Sequence, residues 1–247
     1  SDRSQVRELY RLVGERFGAV EVLVNNAGTI QVSPLEHLTH EDFEEAMASN
    51  YWSAVNCTLE ALPDMRSARG GRIINVSSIG GRVPVPHLLP YTASKFALSG
   101  FSDALRAELL KDGVLVTTIY PVMMRTGSHR NAVFKGQNEK EYAWFALSDT
   151  LPLLSVSAEW AARAILEAAR HGEPAALLGY PTKIAALAYG LFPGLTVEAL
   201  AVVDKLLPAP GGIGSGRALG KESRSPLAPP ALTALGEEAG DRNNQPA

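Results

Sequence analysis

The sequence predicts an α/β fold, a doubly wound parallel sheet with helices on both faces. Three observations predict it. Short apolar runs at 20–24, 71–78 and 114–121 alternate with longer segments of helical period. The runs are rich in Val, Ile and Leu without alternation, as strands buried on both faces are. They end in turns of small residues, Asn25-Asn26-Ala27-Gly28 and Ser77-Ser78-Ile79-Gly80-Gly81. An open parallel sheet holds its ligands at that edge.

Residues 4–17 carry Val6, Leu9, Tyr10, Val13 and Phe17 at helical spacing and stop at Gly18. The run at 20–24 is a strand closed by the Asn-Asn-Ala-Gly turn. Thr39 and Asp42 have the spacing of a capping box and open a helix reaching about residue 66. Residues 71–78 form the second strand, with Ile73, Ile74 and Val76 inside. A proline-rich loop leads to a helix over 88–111, stopped by Gly113, and 114–121 is the third strand. Residues 125–150 show no clear period and read as a polar loop. Ser157 and Glu159 start a helix ending near Gly172, and Ala175–Leu178 is a weak fourth strand. The expected organisation is a partial α/β domain over 1–180, an apolar helical segment over 181–207, and a disordered tail over 208–247 rich in Gly, Pro and Ser.

Composition narrows the function. The 247 residues carry a formal net charge of -3, so no basic surplus exists to neutralise nucleic-acid phosphates. The single cysteine, Cys57, suits a reducing, cytoplasmic setting. His37 and His40 have no third ligand nearby in sequence, so no metal is expected. No targeting signal is visible in the sequence, which reads as starting partway into a fold. Residues 184–197 bear no charge but are interrupted by Pro193-Gly194 and too short to cross a bilayer. They read as a buried or lid helix, or as a contact with a membrane surface or apolar partner. The glycines of 212–220 imitate a dinucleotide turn without a strand before or a helix after them, so they read as linker.

The chemistry converges on one crevice. Lys95 follows Tyr91 by one helical turn, so phenol and ammonium share a helix face. Ser78 closes the preceding strand. Asn50 lies inside the first long helix, where an amide is a poor helix former and needs a reason.

Together Asn25-Asn26-Ala27-Gly28, Asn50, Ser78, Tyr91-x-x-x-Lys95 and Pro121-x-x-x-x-Thr126 resemble the motifs of short-chain dehydrogenase/reductases, over residues 1 to about 180. The resemblance implies a Rossmann-type fold and an NAD- or NADP-dependent enzyme interconverting a secondary alcohol and a ketone. The greasy C-terminal segment suggests an apolar small-molecule substrate. The resemblance makes Tyr91 the general acid/base, with its pKa lowered by the Lys95 ammonium and the nicotinamide cation. Ser78 would orient the substrate oxygen, Lys95 would hold the nicotinamide ribose, and Asn50 would fix a water between Lys95 and solvent. Asn25, Ala27, Gly28, Pro121, Val122, Met124 and Thr126 would contact the cofactor. Val122 replaces the family's glycine, which crowds the pocket but keeps the backbone amides. The glycine-rich diphosphate turn is missing, which places two βαβ units upstream of Ser1 and implies weak cofactor binding by this chain alone. A homodimer or homotetramer is expected through the helices at 40–66 and 88–111, with Leu98, Phe101, Leu105 and Leu109 available, although some of them must face the sheet. The rival readings are an inactive Rossmann-like scaffold and a membrane-surface protein.

Overall fold

A computed structural model describes residues 1–243. Helix α1 (Arg3–Phe17) starts where the Asp2 carboxylate accepts from the backbone N–H groups of Ser4 and Gln5, at 2.7 and 3.2 Å. Such a cap satisfies donors that the first turn leaves open. Strand β1 (Val22–Asn25) and the two-residue β2 (Gln31–Val32) follow. Helix α2 (His40–Met47) opens with the expected capping box, in which Thr39 N–H donates to Asp42 Oδ2 at 2.8 Å. It continues through one π turn, Ala48–Trp52, into α3 (Ser53–Ser67). Strand β3 (Gly71–Val76) precedes α4 (Leu89–Leu109), which has Pro90 in its first turn, where no N–H is needed. Gly113 sits at φ 74°, and a Cβ there would run into the Arg69 carbonyl. That turn starts β4 (Val114–Pro121).

Strands β5 (Met123–Arg125) and β6 (Val133–Phe134) lead into α5 (Asn138–Thr150). Strand β7 (Ser155–Ser157) and helix α6 (Ala158–His171) follow, with Ser157 Oγ capping the helix. Strand β8 (Ala175–Leu178) and helices α7 (Tyr180–Leu191) and α8 (Pro193–Asp204) come next. The chain closes with β9 (Ala218–Leu219) and α9 (Pro230–Arg242).

The central sheet has the order β1-β3-β4-β8 and is parallel throughout. Alternate residues of its strands feed two cores. Ile73, Val114 and Val116 pack with Ala61, Leu62 and Met65 of α3 and Leu109 of α4. Ile74, Val76, Ile119 and Leu178 pack with Ala161 and Ala168 of α6. Each large aliphatic side chain buried this way contributes about 1.5–3 kcal/mol, against about 0–1 kcal/mol for an exposed ion pair such as Arg170–Glu167. The cores, not the surface charges, hold the sheet.

Three expectations need correction, and one is sharpened. Residues 138–150 are helix, not loop. Helix α5 buries Glu141 and Asp149 along with Tyr142 and Phe145, so no polar face advertises it. Of the apolar positions on α4, Leu98 and Leu109 lie inside the protein, while Tyr51, Trp52 and Phe101 stack edge to face, with Trp52 half-exposed. Helices α7 and α8 form no buried layer: Ile184, Leu187, Leu191, Leu195 and Val202 are exposed. Among the described residues no helix is long and apolar enough to cross a membrane. Residues 208–243, expected in a disordered tail, are folded; positions 244–247 lie outside the described residues. Strand β9 pairs antiparallel with β6, and Gly214 O accepts from Gly136 N–H at 2.9 Å. Helix α9 packs beside α5 and is clasped by the turn Ser128–Arg130: Arg130 bonds Glu237 Oε2 at 2.6 Å and Asp241 Oδ1 at 2.9 Å, and Gly240 leaves room for the guanidinium. A Gly/Pro/Ser-rich stretch can be ordered when anchored by side chains far away in sequence.

Candidate active site

At the C-terminal ends of β3 and β4 lies a cavity of about 160 Å³. Asn50, Ser78, Tyr91 and Lys95 all line it, with Gly28, Pro121, Val122, Met124 and Thr126. Asn25 and Ala27 do not.

Strand β3 delivers the serine. Ser78 is extended and caps the short turn Ile79–Gly81, its Oγ accepting from Gly80 N–H at 3.1 Å. Helix α4 delivers the other two groups, because positions one turn apart share a face. Tyr91 lies against Gly80, where a Cβ would stand 3.3 Å from the ring carbon Cε1. Lys95 is only 4% exposed, and its Nζ donates to Val76 O at 2.9 Å and lies 5.7 Å from the centre of the Tyr91 ring. Its backbone carbonyl accepts from Ser77 Oγ and Ser99 Oγ, fixing the turn.

Asn50 explains itself here. It lies in the π turn, a bulge frequent at functional sites. Its Oδ1 accepts from Thr29 N–H at 2.9 Å, and its Nδ2 donates to Thr29 O at 3.2 Å and Ser94 Oγ at 3.0 Å. The amide thus ties the loop after β1 to α4. A Cβ on Gly28 would meet both Asn50 Oδ1 and Lys95 Nζ, at 2.5 and 3.5 Å.

Burial sets the titration of the pair. It pushes the Tyr91 phenol up, countered in part by a hydrogen bond with Ser78. It lowers the Lys95 ammonium from 10.5 to about 8. The expected lowering of the phenol is therefore absent in the protein alone: the ammonium is not close enough to outweigh desolvation.

Two further assignments change. Asn25 Nδ2 donates to Asn75 Oδ1 at 2.8 Å and Thr58 Oγ1 at 3.2 Å, a brace between β1, β3 and α3 rather than a cavity group. Val122 N–H donates to Leu178 O at 3.2 Å, so that amide is engaged by β8. Met124 lies in β5, paired in register with Val156 of β7, and Thr126 Oγ1 accepts from Ser128 N–H at 3.3 Å. Thr29 and Ser94, which hold Asn50, carry no signal beyond being small polar neighbours of the motifs. Ser128, Phe145 and Asp149 complete the cavity wall. They come from the stretch whose helix the periodicity hides.

A parallel α/β sheet that brings a serine and a Tyr-x-x-x-Lys pair to one cavity defines a class of oxidoreductases. The family model for short chain dehydrogenases matches residues 1–136, and the chain belongs to that family. The 3-ketodihydrosphingosine reductase of Bacteroides thetaiotaomicron is 40% identical over 141 residues, which are 56% of this chain and 52% of that protein. The chain thus spans about half the length of that relative. The crystal structure of a short-chain dehydrogenase from Streptomyces avermitilis has a TM-score of 0.70 at 24% identity, over 83% of this chain and 77% of the other. That of ElxO with NADP bound has 0.61 at 24%, over 72% and 73%. At such identities the two structures speak for the fold.

Proposed function

We propose that this chain carries the alcohol–ketone chemistry of an NAD(P)-dependent oxidoreductase, with Tyr91 as general acid and base. The observation that carries it is the convergence of Ser78, Tyr91 and Lys95 on one cavity, held by Asn50. The residues present fit the nicotinamide end of a dinucleotide. Gly28 leaves a cradle that any Cβ would close, and Lys95 Nζ keeps donors to spare beyond its bond to Val76. Lys95 and Tyr91 would hold the ribose; Pro121, Met124 and Thr126 would flank the ring. NAD or NADP, when bound, supplies or takes the hydride.

The chain's own residues handle the proton. In reduction the Tyr91 phenol donates to the carbonyl oxygen as the carbon gains hydride, and Ser78 hydroxyl orients that oxygen. A phenol kept protonated by burial suits this direction. In oxidation the alcohol O–H gives its proton to the phenolate, which the ammonium of Lys95 favours. A lysine titrating at about 8 exchanges protons with solvent near neutral pH. The substrate is an apolar ketone or secondary alcohol, and the name of the Bacteroides relative points to a long-chain ketone.

The test is Tyr91→Phe in a version of the chain extended to carry the diphosphate turn: turnover should fall about 10²–10⁴-fold while cofactor affinity changes little. Turnover within a few-fold of wild type would overturn the assignment.

A second reading rests on the exposed apolar hairpin of α7 and α8, which suits peripheral contact with a membrane surface. Co-sedimentation with liposomes that persists after replacing Leu187, Leu191 and Leu195 by Ser would count against it.

A further inference from the structure

A second cavity, of about 760 Å³, lies between residues 152–156 and the start of α7. Its walls include Val122, Leu154, Val156, Leu177, Tyr180 and Ile184, and Lys183 is the one charged residue lining it. Such a volume is that of a pocket taking a whole small ligand. The two cavities share a wall residue. Val122 lines both, and the β5–β7 ladder puts Met123 and Met124 on the catalytic side and Ser155 and Val156 on the other. Gly179, at φ 85°, lets α7 start hard against this wall: a Cβ there would stand 2.9 Å from Val122 Cγ1.

We propose that this second cavity binds a single unbranched aliphatic chain, the tail of a ketone whose carbonyl end reaches the catalytic cavity past Val122. The proposal rests on the oxidoreductase reading for its polar end only. An apolar trough without a fixed hydrogen-bonding array selects by length and bulk, since it offers a ligand nothing but removal from water. Lys183, at the rim with its Nζ 6.0 Å from the Tyr180 ring, leaves the interior free of charge.

The test is displacement of the fluorescent fatty acid cis-parinaric acid from the 247-residue chain by methyl ketones, from methyl hexyl to methyl dodecyl. Affinity should rise up to about fourfold per methylene and level off once the cavity is full. Ala185→Trp, filling the cavity, and Ile184→Asp, charging its exposed mouth, should each weaken the longest ketone about tenfold and leave the shortest unchanged. Ile184 is 68% exposed, so its variant tests the site without disturbing the core. An affinity that does not vary along the series, or undiminished binding by both variants, would overturn the proposal. Displacement does not read hydride transfer. A length series would keep the chain site even if Tyr91→Phe left turnover within a few-fold of wild type, which alone defeats the oxidoreductase reading; a flat series would defeat the chain site and leave that reading standing.

Discussion

A methyl group placed on Gly28 would stand 2.5 Å from the side-chain oxygen of Asn50. Neither neighbour can step aside easily. Asn50 is 1% exposed and bonded to Thr29 and Ser94, and Lys95 closes the other flank. Gly28→Ala should therefore lower stability by about 1–3 kcal/mol and displace the Asn50 amide from Thr29. Thermal unfolding measures the first effect, and amide exchange at Thr29 the second. A variant with unchanged melting and a protected Thr29 amide would show that the cradle has slack.

Lys95 gives stability a particular dependence on pH. Its folded value, about 8, lies below the unfolded 10.5 because burial disfavours the charge. Below pH 8 the lysine is charged in both states and the penalty is fully present. Between 8 and 10.5 the unfolded chain holds more protons than the folded one, so this group adds stability as pH rises. Tyr91, raised by burial, opposes only above about pH 10. Urea unfolding at pH 7.5 and 9.5 should show wild type gaining about 2 kcal/mol relative to Lys95→Met. Equal slopes in the two proteins would place the lysine in water.

Asp42 and Lys135 form an ion pair at 2.6 Å with side chains 1% and 3% exposed, joining the start of α2 to the end of β6. Removing one partner leaves a buried charge alone. Lys135→Met should cost about 3–5 kcal/mol, and the double change Asp42→Leu with Lys135→Met much less. Chemical denaturation of these two variants and of Asp42→Leu alone completes the cycle.

The edge-to-face group of Tyr51, Trp52 and Phe101 lies on the face where helices α3 and α4 would meet a second copy. If the protein assembles there, Trp52→Glu should shift the sedimenting species to the monomer at micromolar concentration. A wild-type chain that already sediments as a monomer would remove the proposed oligomer.

What was legible in the sequence follows from locality. Tyr91 and Lys95 share a helix turn, and Ser78 ends a strand, so their meeting follows from element type and the edge of a parallel sheet. Strands β3 and β4 were legible because burial on both faces leaves an unbroken apolar run, and β1 by its apolar residues alone, since Val22 and Val24 are half-exposed. Helix α5 was not, since it buries carboxylates alongside aromatics and so lacks a two-sided pattern. Asn25 illustrates a different limit. Its spacing cannot tell whether the amide turns to the cavity or, as it does, to Asn75 across the sheet. Nor does sequence show that burial, rather than the neighbouring charge, governs Tyr91, because that balance depends on distances.

The clasp between Arg130 and α9 has a consequence for the order in which the molecule is built. Its bonds join residues separated by 107 to 111 positions, whereas the Tyr91–Lys95 turn forms from neighbours. Chains fold as they emerge from the ribosome, N-terminal parts first, and closing a loop of that length is slow beside forming a helix. Ser78, Tyr91 and Lys95 can thus take their places while Glu237 is still unsynthesised. The wall that holds Ser128 and Asp149 is seated later, when α9 arrives. A nascent chain would carry Ser78, Tyr91 and Lys95 on an open shelf, and the wall beside them would be seated only after α9 has been made.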